Sequence, residues 1–190
     1  MRDWAKTKVH FVGIGGSGMS GIARILVARG ARVSGSDIHD SSSLAGLRSI
    51  GITIYMGHQP SNLGEANLVV RSSAIPQDNV EITAARDRGI EVIERAQALA
   101  SLLVGKKSVA IAGTHGKTTT TSMLTVALQH CGLDPSFSIG ATVRNSGTNA
   151  HHGSGEIFVV EADESDGSFT AYMPRGAVIS VRRRRRSSRG

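Results

Sequence analysis

Two glycine-rich hexapeptides carry the residues of this chain best suited to hold phosphate. The first is Gly13-Ile14-Gly15-Gly16-Ser17-Gly18, placed after an apolar run over 9–14 and opening a helical pattern over 17–29. Its first glycine permits a tight turn, the second lets backbone amides approach a pyrophosphate, and the third lets the helix sit close on a sheet. Asp37 stands at the end of the next apolar run, where a carboxylate can accept a ribose hydroxyl. Such a loop recognises the diphosphate and does not separate NAD from a nucleotide sugar. A glycine-rich turn without a ligand is the plainer alternative.

The second hexapeptide is Gly113-Thr114-His115-Gly116-Lys117-Thr118, followed by Thr119, again between an apolar run and a helical one. Its backbone amides can surround phosphates, Lys117 can reach the β and γ phosphates, and the Thr118 hydroxyl can ligate Mg²⁺. Ile111 stands five residues before Gly116, where the usual longer loop has glycine, so this loop is a short variant. Further on, Glu161-Ala162-Asp163-Glu164-Ser165-Asp166 follows the apolar stretch 157–160. A carboxylate at the end of a buried strand beside a phosphate loop is where Mg²⁺ needs an oxygen ligand, and Glu161 is nearest the strand end. A solvated acidic loop is the alternative reading.

The elements that must position these loops alternate. Strands are predicted over 9–14, 31–36, 53–56, 66–72 and 91–93, with helices over 17–29, 44–49 and 80–88 between them. Short apolar strands separated by helices indicate parallel βα units, because a parallel pair needs a crossover. A helix over 96–104 leads to a second unit, with strands over 108–112, 137–140, 156–160 and 177–181 and a helix over 118–131. Thr118 to Thr121 open that helix with β-branched residues of low propensity, so something else must hold its first turn. The fold class is α/β: a Rossmann-like domain over 1–103, an incomplete P-loop ATPase domain over 104–181, and an arginine-rich tail over 182–190.

Composition removes several other functions. Seven aromatic residues make base-stacking platforms improbable, and one cysteine, Cys131, excludes a disulfide scaffold within the chain and suits a reducing compartment. Cys131 is expected to be buried and inert. No apolar run approaches the roughly 20 residues needed to span a bilayer. The net charge of +7 is local: Arg182 to Arg186 and Arg189 supply six of 22 basic residues, leaving 16 against 15 acids. A basic tail can bind phosphate backbones, but the body holds no reader of bases, so no specific nucleic-acid partner is expected. His10 is expected in the core, His130 at a helix end, and His151-His152 in a loop without a metal.

The quoted segments together resemble the Mur ligase family. The matching text is GIGGSGMSGIA at 13–23, SGSD at 34–37, SSAIP at 72–76, AGTHGKTTTTSM at 112–123, GTNAHHGSG at 147–155 and EADESDGSF at 161–169. The resemblance implies a cytoplasmic, ATP- and Mg²⁺-dependent carbon–nitrogen ligase of peptidoglycan precursor synthesis. UDP-N-acetylmuramate would be activated as an acyl phosphate and joined to L-alanine, or in the nearest relatives to a recycled tripeptide. It implies that Gly13, Gly15, Gly16, Ser17 and Gly18 cradle the UDP-sugar diphosphate, with Asp37, His58 and Ser73 in the same pocket and Asn149 facing it from the second domain. Gly113 to Thr119 would hold ATP, Lys117 and His115 would serve catalysis, and Thr118 and Glu161 would hold the metal.

Three positions depart from the family pattern. Val80 replaces a proline after Asn79, and Ala141 replaces a second glycine after Gly140. From Arg182 the text RRRRRSSRG stands where the family continues its strand with a TNIExDH-like segment. The expectation is a truncated or frame-altered product, inactive as a ligase, with a genuine short form as the alternative. A stand-alone UDP-sugar-binding module remains open, whereas an NAD-dependent oxidoreductase leaves the second loop unexplained.

Overall fold

Apolar runs and intervening helices fold into two five-stranded sheets in the computed structural model, which describes residues 2–143, 147–162 and 174–180. The first sheet contains β1 (Lys8–Val12), β2 (Arg32–Asp37), β3 (Thr53–Met56), β4 (Leu68–Arg71) and β5 (Glu91–Glu94). Its order is β3-β2-β1-β4-β5 and every pairing is parallel. Crossovers run through α1 (Ser17–Ala28), α2 (Ser42–Arg48) and α3 (Val80–Asp87), and α4 (Arg95–Leu103) leads out of the sheet. The strand order reverses between β1 and β4. Such a reversal opens a crevice at the carboxyl ends of the strands, where open α/β sheets bind ligands.

The second sheet contains β6 (Lys107–Gly113), β7 (Ser136–Val143), β8 (Thr148–His151), β9 (Ile157–Glu161) and β10 (Gly176–Ser180), in the order β10-β6-β9-β7-β8. All its pairings are parallel except β7 with β8. Helix α5 (Lys117–His130) follows β6 and ends on His130, as expected. Its threonine-rich first turn is held partly from within. Thr121 is buried, and its hydroxyl donates to the Lys117 carbonyl at 2.8 Å.

Two expectations need correction. His151 ends strand β8, although His151-His152 was expected in a loop. Antiparallel pairing with the long strand β7 supplies the backbone partners that the short segment cannot find alone. Cys131 is exposed and not buried, because it lies at the end of α5, past the helix face that packs on the sheet.

The two sheets share one apolar cluster. Phe11, Ile22, Ile25 and Leu26 from the first unit belong to the same buried group as Ala110, Ala150, Phe158 and Val160 from the second. Helix α1 is the element in common, packing on β2 and α2 as well as on β7 and β8. A Cβ at Gly21 would lie 3.2 Å from Ser138 Oγ and 3.3 Å from the Ala150 methyl. Glycine at this position therefore sets how closely α1 approaches the second sheet.

Candidate functional site

The first loop begins where β1 ends. The amides of Gly13 and Ile14 both donate to the Ser36 carbonyl, at 2.9 and 3.0 Å, which ties the turn to β2. Gly13 has φ +81°, a conformation that a side chain would strain. The Gly15 amide donates to Asp37 Oδ2 at 2.8 Å, and a Cβ on Gly15 would stand 2.8 Å from the same oxygen. Asp37 thus shapes the loop as well as ending β2. Gly16 is the N-cap of α1, so the loop delivers its amides to the positive end of that helix. Gly18 lets α1 pass Arg95, whose Nη1 would be 2.6 Å from an added Cβ.

His58 and Ser73 follow β3 and β4 by two residues each, so with Asp37 they line the carboxyl edge of the first sheet. Ser73 is exposed there. His58 is fixed from beneath by a buried polar group that the sequence did not reveal. Ser36 Oγ donates to Glu81 Oε2 at 2.5 Å, and His58 Nδ1 stands 3.0 Å from both. Asn62 Nδ2 donates to the other Glu81 oxygen at 2.7 Å. His10, fully buried as expected, bonds Ser34 through Nδ1 and places Nε2 3.7 Å from Glu81, beyond hydrogen-bond reach, so its pull is electrostatic.

Burial alone would push the Glu81 carboxyl up. The nearby His10 imidazole and the hydrogen bonds from Ser36 and Asn62 outweigh that and bring it down from 4.5 to about 2. Serine, histidine and glutamate in contact invite a nucleophile reading. Here the serine is fully buried and spends its proton on a carboxylate that stays charged, so the group is a support for the pocket rim.

The second loop runs from Gly113 to Thr118. Gly116, at φ +79°, caps α5, and a Cβ on Gly113 would fall on the Ser180 carbonyl of the neighbouring strand β10. Lys117 Nζ donates to the Gly113 carbonyl at 2.7 Å, which holds the ammonium across the loop. Thr118 is half-buried in the first turn of α5, while Thr114 and Thr119 are exposed. His115 is also exposed, with Nδ1 turned to the Thr114 carbonyl. Ser180 was not a sequence candidate. Only the pairing of β10 with β6 reveals that it flanks the loop.

Glu161 ends β9 on the other side of β6, in register with Ile111. Its Oε2 accepts the Gly140 amide at 3.0 Å, while Oε1 is buried without a hydrogen-bond partner. A buried carboxylate oxygen with no donor suits a cation, and Mg²⁺ ordinarily takes one or two carboxylates together with phosphate oxygens and water. The unpartnered Glu161 oxygen therefore fits the metal expected there. A Cβ on Gly140 would lie 2.8 Å from Glu161 Oε2, so this glycine makes room for the carboxylate. Ala141, the departure beside it, is exposed. Asp163, Glu164 and Asp166 of the acidic run, and the arginines from Arg182, lie outside the described residues. Among the described residues no group of three or more His, Cys, Asp or Glu could by itself hold a metal.

Asn149 connects the two halves. It lies on β8, and its Nδ2 donates to Ser20 Oγ on α1 at 3.2 Å. Both line a cavity of 380 Å³ that also includes Gly15. The structure thus brings Asn149 close to the first loop. Among the described residues no helix is long and apolar enough to cross a membrane.

The family model for the Mur ligase family, catalytic domain, matches residues 8–107. The UDP-N-acetylmuramate–L-alanine ligase of Saccharopolyspora erythraea is 56% identical over 177 residues, covering 91% of this chain and 36% of that protein. The ligase of the same name from Salinispora arenicola is 55% identical over 172 residues, covering 90% and 34%. Among solved structures, the UDP-N-acetylmuramate-alanine ligase of Thermotoga maritima has a TM-score of 0.87 at 35% identity, over 93% of this chain and 42% of that one. A Neisseria UDP-N-acetylmuramate:L-alanyl-gamma-D-glutamyl-meso-diaminopimelate ligase has a TM-score of 0.86 at 33% identity, over 92% and 60%. The chain therefore spans about a third of the length of the curated relatives it matches.

Proposed function

The chain belongs to the Mur ligase family, and on that premise we propose that it is the sugar-nucleotide and ATP-loop portion of a cytoplasmic UDP-N-acetylmuramate–L-alanine ligase. The observation that carries the reading is the contact of Asn149 with Ser20 beside the glycine loop. A ligand held at the first loop would extend directly towards the second unit.

In this reading, residues 1–103 bind UDP-N-acetylmuramate and residues 104–181 begin the ATP-binding domain. The Gly13–Gly18 loop takes the diphosphate on the amides that open α1 from Gly16 onward, with Asp37 fixing the loop from behind through the Gly15 amide. His58 and Ser73 line the same edge, and His58 is held in place by Glu81. Gly113 to Thr119 cradle ATP, and Lys117 neutralises charge on its outer phosphates. Thr118 and Glu161 would hold Mg²⁺, which supplies further charge neutralisation where two anions must meet. The reaction served is transfer of the γ-phosphate to the sugar's lactyl carboxylate, followed by attack of the L-alanine amine on the acyl phosphate and loss of phosphate.

Identity to two alanine ligases at 56% and 55% favours alanine over tripeptide as the acceptor. Calorimetric titration tests the first step. The chain should release or absorb heat with UDP-N-acetylmuramate, and UMP, which lacks the second phosphate and the N-acetylmuramyl group, should compete weakly. Binding of NADH in preference to UDP-N-acetylmuramate would overturn the reading.

A further inference from the structure

The 380 Å³ cavity has a cationic wall that none of the residues named so far explains. Arg24 lies one helical turn beyond Ser20 on α1, so the two share a face, and side chains on a helix lean towards its N-terminus. Here that direction leads to the glycine loop. The Arg24 side chain is half-buried, its Nε is fully buried without a hydrogen-bond partner, and among the described residues no carboxylate pairs with it. No Asp or Glu is among the residues lining the cavity. Opposite, Gly46 of α2 makes room for the guanidinium, whose Nη2 would be 2.6 Å from a Cβ at that position.

A guanidinium carries five N–H donors and never loses its charge in a protein, so burying its Nε–H without an acceptor is unfavourable. A surface arginine in solvent incurs no such penalty, but its Nε would be accessible and here it is not. Neutral donors and acceptors from Ser20, Ser43, Thr148 and Asn149 surround the same space and could hold sugar hydroxyls beside an anion.

We propose that Arg24 is an anion-binding residue for the sugar nucleotide, its guanidinium receiving paired anionic oxygens of a ligand whose diphosphate end lies on the Gly13–Gly18 loop. The proposal rests on the sugar-nucleotide reading of that loop. Two groups offer this chemistry, the diphosphate and the carboxylate of the muramate, and paired planar oxygens suit an arginine better than a lysine.

The test is calorimetry on the 190-residue chain, Arg24→Gln and Arg24→Lys, each titrated with UDP-N-acetylmuramate and with UDP-N-acetylglucosamine, which has the diphosphate but no carboxylate. R24Q should bind UDP-N-acetylmuramate at least about tenfold more weakly, and R24K should fall between, as expected for loss of a charge-assisted contact. Equal loss with both ligands assigns Arg24 to the diphosphate; loss confined to UDP-N-acetylmuramate assigns it to the carboxylate. Unchanged thermal unfolding of both variants makes the loss one of binding. R24Q that binds both ligands within twofold of the parent overturns the inference while leaving the loop's role intact. A parent chain that binds neither ligand overturns the sugar-nucleotide reading and this inference with it.

Discussion

Asn149 on β8 donates a hydrogen bond to Ser20 on α1 across 3.2 Å, so a residue of the second sheet reaches the helix that opens on the first phosphate loop. Gly21, next along that helix, lets the approach happen. Replacing Gly21 with leucine has two opposed effects. Helix propensity improves by about 0.5–1 kcal/mol, but the side chain must displace Ser138 and Ala150, and overpacking of this kind costs about 1–3 kcal/mol. The clash should prevail, and urea unfolding should show Gly21→Leu less stable than the parent. A more stable variant would mean that α1 and the second sheet are not packed as described.

Glu81 makes a pH-dependent contribution. Its carboxyl is lowered in the folded protein, so its stabilisation is fully present above the unfolded value of 4.5 and is lost as pH falls towards about 2. Glu81→Gln should therefore destabilise the chain by on the order of 2–3 kcal/mol at pH 7. The gap between parent and variant in denaturant midpoints should narrow below pH 4.5 and close near pH 2. A gap independent of pH would show that the carboxylate charge plays no part.

Val80 offers a stabilising change. It is the first residue of α3, exposed, and preceded by Asn79 at φ −54° and ψ 138°, an extended conformation compatible with a following proline. Proline at the first helical position loses no intrahelical hydrogen bond and restricts the unfolded chain. Val80→Pro should add about 0.5–1 kcal/mol, a rise of roughly 1–4 °C in Tm for a chain of this size. A fall in Tm would mean that the Val80 amide has a partner it needs.

Glu161 should govern the metal response at the second loop. ATP affinity of the parent chain should strengthen when Mg²⁺ is raised to the millimolar range, and Glu161→Gln should flatten that dependence while leaving UDP-N-acetylmuramate binding unchanged. Equal Mg²⁺ dependence in both proteins would remove Glu161 from the metal site.

The alternation of short apolar runs and helical patterns was enough to indicate two α/β sheets with their parallel strands, because a buried strand and its crossover leave separate marks on local sequence. Gly13, Asp37, Gly116 and Lys117 were legible for the same reason: their spacing around a strand–helix junction is a local property. What escaped depended on distant partners. Strand β8 is stabilised by β7, Ser180 reaches the second loop only through the pairing of β10 with β6, and Glu81 lies far along the chain from the His10, Ser36 and His58 that surround it. Arg24 carries no local motif, and only the second sheet and α2 enclose it.

The central claim is that one chain carries two separate phosphate sites, for a sugar nucleotide and for ATP. The most direct measurement is a crossed calorimetric titration of the parent, Gly15→Val and Lys117→Ala with UDP-N-acetylmuramate and with ATP in millimolar Mg²⁺. In Gly15→Val the new side chain meets Asp37 and blocks the approach to the loop, so UDP-N-acetylmuramate heat should vanish while ATP binding persists. Lys117→Ala should show the reverse, with ATP weakened by at least about tenfold and the sugar nucleotide unaffected. Loss of both ligands in one correctly folded variant, or of neither in both, would contradict the account.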